Sequence, residues 1–256
     1  MPSWLANGIG AVFNHVLGFT QFNQLYAGLP EHKDIELSGA FLETLNIDLE
    51  LQGEPLKSYP TDGPLIFVAN HPHGLLDGFA LDHLLTKIRP DGFLMGTYVL
   101  GEIPEYSERL ILVDPFKKRK RKSLNVKSWR EAYRLMANAG ALVIFPAGAV
   151  SHYHWARNEV TDRDWNPHIA TLARRTQANV VPIFIHGRNS LSFQICGMIS
   201  TKLQNLLIFK ELPKMKNRKL QVTLGKSIPP ESWAGIKDDK DLIKHFRKEV
   251  EALAKS

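Results

Sequence analysis

Residues 68–85 read VANHPHGLLDGFALDHLL, and three of their side chains can hold or move a proton: His71, His73 and Asp77. An imidazole backed by a carboxylate makes a general base. The acid fixes the tautomer and stabilises the imidazolium that forms when the ring takes a proton. Asp77 lies six residues beyond His71, too far for the two to share a helix face. Pro72 and Gly74 lie between them, so the backbone can fold back and bring the carboxylate to the ring. No Gly-x-Ser-x-Gly elbow is present, and the single cysteine, Cys196, follows a different apolar stretch. The attacking group would therefore be a substrate hydroxyl or amine activated by His71.

A His-x-His pair at a strand end is also how several metal sites begin. His152, His154 and His186 could complete such a set, since HYH repeats the spacing and IFIHG ends another apolar stretch. Ten histidines in 256 residues give close pairs by chance, and acids are sparse at the strand ends. His152 and His154 are read as surface-loop residues and His73 as a turn residue. A metal-dependent hydrolase centred on His71 and His73 stays as the second reading, and the first assigns no metal ligand.

These residues need elements to hold them. LIFVA is a short apolar strand ending at Asn70-His71, and 75–88 has the spacing of a helix with Leu75, Leu76, Phe79, Leu84, Leu85 and Ile88 inward. FLMG, LILVD, ALVIF, NVVPIFI and LQVTLG read as further strands. Helices are expected over 123–139, with Val126, Trp129, Tyr133 and Met136 on one stripe and Gly140 as the stop, and over NPHIATLARRT, capped by Asn166. A last helix carries Leu242, Ile243, Phe246, Val250 and Leu253 inward. This alternation implies an α/β fold: a mixed, largely parallel sheet flanked by helices, with sites where strand ends enter helices. Residues 1–30 form an N-terminal amphipathic segment, which either packs on the domain or lies in a lipid headgroup layer. Residues 31–256 form the domain.

Composition is globular, 44% hydrophobic and 23% charged, and one cysteine allows no internal disulfide. No apolar run nears the ~20 residues of a spanning helix, and no basic-then-apolar leader opens the chain. The expected location is cytoplasmic, peripheral on the inner face of the membrane. A net charge of +6 favours anionic partners.

NHPHGLLDG resembles the first motif of the glycerophospholipid O-acyltransferase (lysophosphatidate acyltransferase-like) family, with five residues between His71 and Asp77 where four are usual. GEIPEYSERLILVD, FPAGAVS and VVPIFI resemble its second to fourth motifs, in order, across residues 64–190. The resemblance implies transfer of a fatty acyl group from an acyl carrier protein or coenzyme A thioester to a lysolipid hydroxyl, with no further cofactor. It assigns His71 as base and Asp77 as its orienting acid. Asn70, His73, Gly74, Phe145, Pro146, Gly148 and Ser151 fall to substrate binding, Gly148 by letting the backbone come close. Ala147, Ala149 and Val150 stand where the family has Glu, Thr and Arg, and Pro115 where an arginine is usual. An arginine–phosphate contact cannot be replaced by Val or Pro. The pattern is closer to a bacterial hemolysin-like subgroup that includes acyltransferases of ornithine-type lipids, so a lyso-aminolipid is the expected acceptor beside lysophospholipid.

The run KKRKRK at 117–122 is either a solvated loop or a docking surface. Lys117, Lys118 and Arg119 would then meet anionic lipid or an acidic acyl donor. No nucleic-acid motif or aromatic platform accompanies it, so nucleic acid is not an expected partner. Arg188, after VVPIFI, is placed at the pocket. A non-catalytic lipid or acidic-protein binder is the remaining class.

Overall fold

The computed structural model describes residues 17–29, 37–97, 100–106, 109–113 and 122–255. Most of the N-terminal segment and the basic run with Lys117, Lys118 and Arg119 lie outside these residues, as does Pro115.

Two helices, α1 (Phe19–Ala27) and α2 (Leu37–Thr44), precede strand β1 (Asp48–Gly53). Strand β2 (Leu65–Ala69) leads into α3 (Leu75–Ile88), followed by β3 (Phe93–Thr97), β4 (Leu110–Val113), α4 (Lys122–Ala137) and β5 (Ala141–Ile144). A hairpin of β6 (His152–His154) and β7 (Glu159–Thr161) comes next, then α5 (His168–Thr176) and β8 (Asn179–Ile185). Three short helices follow: α6 (Leu191–Ile199), α7 (Thr201–Leu206) and α8 (Ile208–Glu211). The chain closes with β9 (Lys219–Leu224), α9 (Pro230–Trp233) and α10 (Asp239–Ala252).

Seven strands form one sheet in the order β1-β9-β8-β2-β5-β3-β4. Every pairing is parallel except β8 with β9. Strand β2 is central and buried along its whole length. Its period of two sends Leu65, Phe67 and Ala69 to one face and Ile66 and Val68 to the other. The first face is covered by α1, α2 and α3, where Phe41 stacks on Phe79 at 4.2 Å. The second packs on α4, α5 and α10, with Trp233 and Phe246 edge to face. A strand covered on both faces must be apolar throughout, and LIFVA is.

Leu17 and Phe22, in the described part of the N-terminal segment, are buried, and Phe22 packs against Phe41 and Phe209. Helix α4 differs from the expected stripe. It buries Ser128, Ala132 and Met136, while Val126 is 51% exposed. The buried line runs at a spacing of four, one position ahead of Trp129 and Tyr133, whose rings are half-buried at its edge. Its left-handed end residue is Ala139, with φ 59°, and not Gly140.

Candidate active site

Strand β2 delivers His71 to the carboxyl edge of the sheet, where loops from β5 and β8 meet it. Asn70 fixes the exit. Its Nδ2 donates to the Ile185 carbonyl at 2.8 Å and its Oδ1 accepts from the Ile185 amide at 2.7 Å. The side-chain amide thus extends the β2–β8 ladder by one rung after the backbone has turned away. Asn70 is a clamp and does not line the main cavity.

The chain then turns through Gly74, at φ 80° and ψ −112°, into α3. Asp77 is fully buried in the first turn. Its Oδ2 accepts from the Gly74 amide at 2.9 Å, capping the helix, and from the His73 amide at 2.8 Å. The same oxygen lies 3.0 Å from His71 Nδ1. With Nδ1 taken, Nε2 is left for a ligand in the cavity that the ring lines. The ring is 16% exposed and stacks on Phe145 at 4.0 Å between centroids. A Cβ at Gly74 would come within 2.5 Å of Ile208 Cδ1. Gly74→Ala is therefore expected to cost about 2–3 kcal/mol, combining the left-handed backbone with the clash. Urea denaturation checks this, and an unchanged midpoint would refute it.

A second carboxylate lies beneath the His71 backbone. Asp162, just past β7, is 4% exposed. Its Oδ1 accepts from the His71 amide at 3.2 Å and from Ser151 Oγ at 2.5 Å, and its Oδ2 accepts from Trp165 Nε1 at 2.9 Å. The Ser151 amide in turn donates to the His71 carbonyl at 2.8 Å. Burial pushes the Asp162 carboxyl above its ordinary range, opposed by the bonds from Ser151, Trp165 and His71. No motif marks Asp162 in VTDRDWNP. Only the tertiary fold brings it 91 residues back to His71.

In front of His71 lies an apolar cavity of about 350 Å³. Gly74, Leu75 and Gly78 of the turn and α3 form one wall, and Leu94, Gly96 and Leu100 a second. Phe145, Gly148, Ala149 and Val150 form a third, and Phe19, Leu206, Ile208 and Phe209 close the far side. Gly148 has φ 62° and open space where a side chain would point. Of the residues singled out from sequence, His71, Gly74, Phe145 and Gly148 meet at this cavity. Pro146 is buried beside it, its carbonyl accepting from the Asn166 amide. The walls from Leu94, Leu100, Ile208 and Phe209 carry no motif and were not legible as site residues.

His73 turns away from the cavity, Nε2 donating to the His186 carbonyl at 3.0 Å. His186 Nε2 meets Thr223 Oγ1 at 2.8 Å. Among the described residues no three His, Cys, Asp or Glu side chains are grouped to hold a metal ion. Arg188 is exposed and is not a lining residue, contrary to its expected place at the pocket.

His152 and His154 also depart from expectation. They lie on β6, their rings 4.2 Å apart, and His152 is 6% exposed beneath Gly197 of α6. Burial, with Arg163 and His154 nearby, lowers His152 from 6.5 to about 4. The unfolded chain therefore takes up this proton before the folded one. Stability should fall by up to about 1.4 kcal/mol per pH unit between the two values. Wild type is expected to lose on the order of 2–3 kcal/mol more than His152→Gln between pH 7 and pH 4, measured by urea unfolding. Equal losses would refute this.

A histidine–carboxylate pair thus faces a mostly apolar cavity at the carboxyl edge of a largely parallel sheet, an arrangement able to move a proton beside an apolar ligand. The chain belongs to the acyltransferase family, whose model matches residues 23–210. Its similar relatives include a lyso-glycine lipid O-acyltransferase of Phocaeicola vulgatus, 25% identical over 88% of this chain and 83% of that protein. A protein of the same name from Bacteroides thetaiotaomicron is 25% identical over 80% of this chain and 79% of its own length. The fold is shared with the 1-acyl-sn-glycerophosphate (LPA) acyltransferase PlsC of Thermotoga maritima. The TM-score is 0.54 at 17% identity, over 99% of this chain and 84% of that one. No helix of the described residues is long and apolar enough to cross a membrane.

Proposed function

We propose that the protein moves a fatty acyl group from an acyl thioester, on acyl carrier protein or coenzyme A, to the hydroxyl of a lysolipid. The observation that carries this is the His71–Asp77 pair at the wall of a mostly apolar cavity, which Lys202 and Asn205 also line. His71 Nε2 takes the proton of the acceptor hydroxyl as its oxygen attacks the thioester carbonyl. A carbon–oxygen bond forms and a tetrahedral intermediate follows. It collapses with cleavage of the carbon–sulfur bond, and the departing thiolate receives the proton from the imidazolium. Asp77, already bonded to Nδ1, holds the ring in the tautomer this needs. The walls from Leu94, Leu100 and Phe209 suit a hydrocarbon chain, and the lysine that lines the cavity, Lys202, comes from α7 and not from the motifs.

The acceptor in this reading is a lyso-aminolipid rather than lysophosphatidate. Ala149 and Val150 line the cavity in place of polar and cationic side chains, so the third motif presents no guanidinium to a phosphate. The names of the two relatives, lyso-glycine lipid O-acyltransferases, support the same choice. The reaction would be carried out on the inner face of the cytoplasmic membrane.

The test offers labelled acyl-carrier-protein and acyl-coenzyme A donors against lyso-glycine lipid, lyso-ornithine lipid and lysophosphatidate, with and without chelator. The expected result is a labelled diacyl aminolipid, unaffected by chelator. Faster acylation of lysophosphatidate would overturn the acceptor. No transfer with any pair would overturn the reading.

A further inference from the structure

Helix α6 has one face in the protein and one uncovered. Phe193, Gln194 and Gly197 are buried. Leu191 is 76% exposed, Ile195 43% and Ile199 73%. These three recur every fourth residue and form a single aliphatic stripe. Leu203 and Leu206 extend the exposed apolar surface along α7. Strand β6 packs against α6, and Trp155 in the turn after it is 77% exposed. Exposed apolar side chains at this spacing, on a basic chain, mark an interaction site.

We propose that the α6–α7 face is the surface by which the enzyme docks on an anionic bilayer. This rests on the reading that its acceptor is a lipid. Two observations select a bilayer over other occupants. The face is continuous with the site: Lys202, Asn205 and Leu206 of α7 line the cavity, while Leu203 and Leu206 belong to the exposed apolar surface. A helix that is both cavity wall and docking face brings a membrane-borne acceptor to His71 without full extraction into water. The charge is mostly basic as well. Residues 186–220 hold seven Lys or Arg and one acid, Glu211, which is buried against Ser190 and Lys214, while Lys219 pairs with Asp48 and Glu50 of β1. Exposed Lys202 and Lys210 lie beside the apolar stretch and suit anionic headgroups. A second copy of the chain would instead bring two basic rims together. An acidic protein would use the cations and leave the aliphatic stripe exposed to water.

Flotation with vesicles of phosphatidylcholine, with and without phosphatidylglycerol, tests this on the full chain. The variant Leu191→Ser/Ile195→Ser/Ile199→Ser changes none of the cavity-lining residues. It is expected to bind phosphatidylglycerol vesicles at least about 10-fold more weakly than wild type. It should still acylate a monomeric short-chain lysolipid within about twofold of the wild-type rate, which also shows that it is folded. An environment-sensitive dye on Ile199→Cys, in a Cys196→Ser background, should shift to the blue on vesicles and be quenched by bilayer spin labels. Unchanged vesicle binding with a silent dye would overturn the proposal. So would a solution dimer that the triple variant dissociates. Failure of wild type to acylate any lysolipid, alongside intact vesicle binding through this face, would overturn the functional reading alone.

Discussion

His71→Ala is expected to slow acyl transfer about a thousandfold, because a positioned general base contributes roughly 10²–10⁴. The fold should survive. Apart from Phe145 and Asp77 the ring faces the cavity, so its loss widens a space that is already there. Asp77 keeps its bonds to the His73 and Gly74 amides, and the turn keeps its shape. Unfolding free energy should change by no more than about 1 kcal/mol. The check is kcat beside a urea curve. A folded His71→Ala protein with wild-type turnover would remove His71 as the base.

The second large effect belongs to Asp77, and two substitutions separate its two tasks. In Asp77→Asn the amide oxygen can receive the same three donors that Oδ2 receives, so the helix cap is kept. The negative charge behind the imidazolium is lost, and kcat should fall about 10²–10⁴-fold with little change in stability. Asp77→Ala removes the cap as well and leaves two buried amides without an acceptor. It should add a stability loss of about 2 kcal/mol to a similar kinetic loss. Full activity in Asp77→Asn would show that the carboxylate serves the helix alone.

How much of this was legible beforehand depended on how local each signal is. Strand β2 and helix α3 were readable because one is apolar throughout and the other begins at a glycine turn and repeats with helical spacing. Strand β1, DLELQG, was not read as a strand. It is an edge strand, exposed at four of six positions, and its alternation of acid and leucine carries a weak apolar signal. The hairpin of β6 and β7 is three residues on each side and polar, so its histidines looked like loop residues. Helices α6 to α8 were missed because the stretch is apolar on its outer as well as its inner face, which erases the period that marks a surface helix. Within the site, His71, Asp77 and the glycines of the turn were readable because six residues and one turn join them. Asp162 and the walls from Leu94, Leu100 and Phe209 reach the site from distant parts of the chain, and nothing in their own neighbourhoods sets them apart.

One oxygen, Asp77 Oδ2, receives the Gly74 amide, the His73 amide and His71 Nδ1. The start of α3 and the alignment of the ring are therefore one event and not two. Whenever the first turn of the helix frays, the imidazole loses its anchor at the same moment. The enzyme cannot loosen this turn to admit a bulkier ligand without disarming itself. Deuterium uptake at the His73 and Gly74 amides should accordingly count the fraction of molecules whose ring is aligned, even with no substrate present.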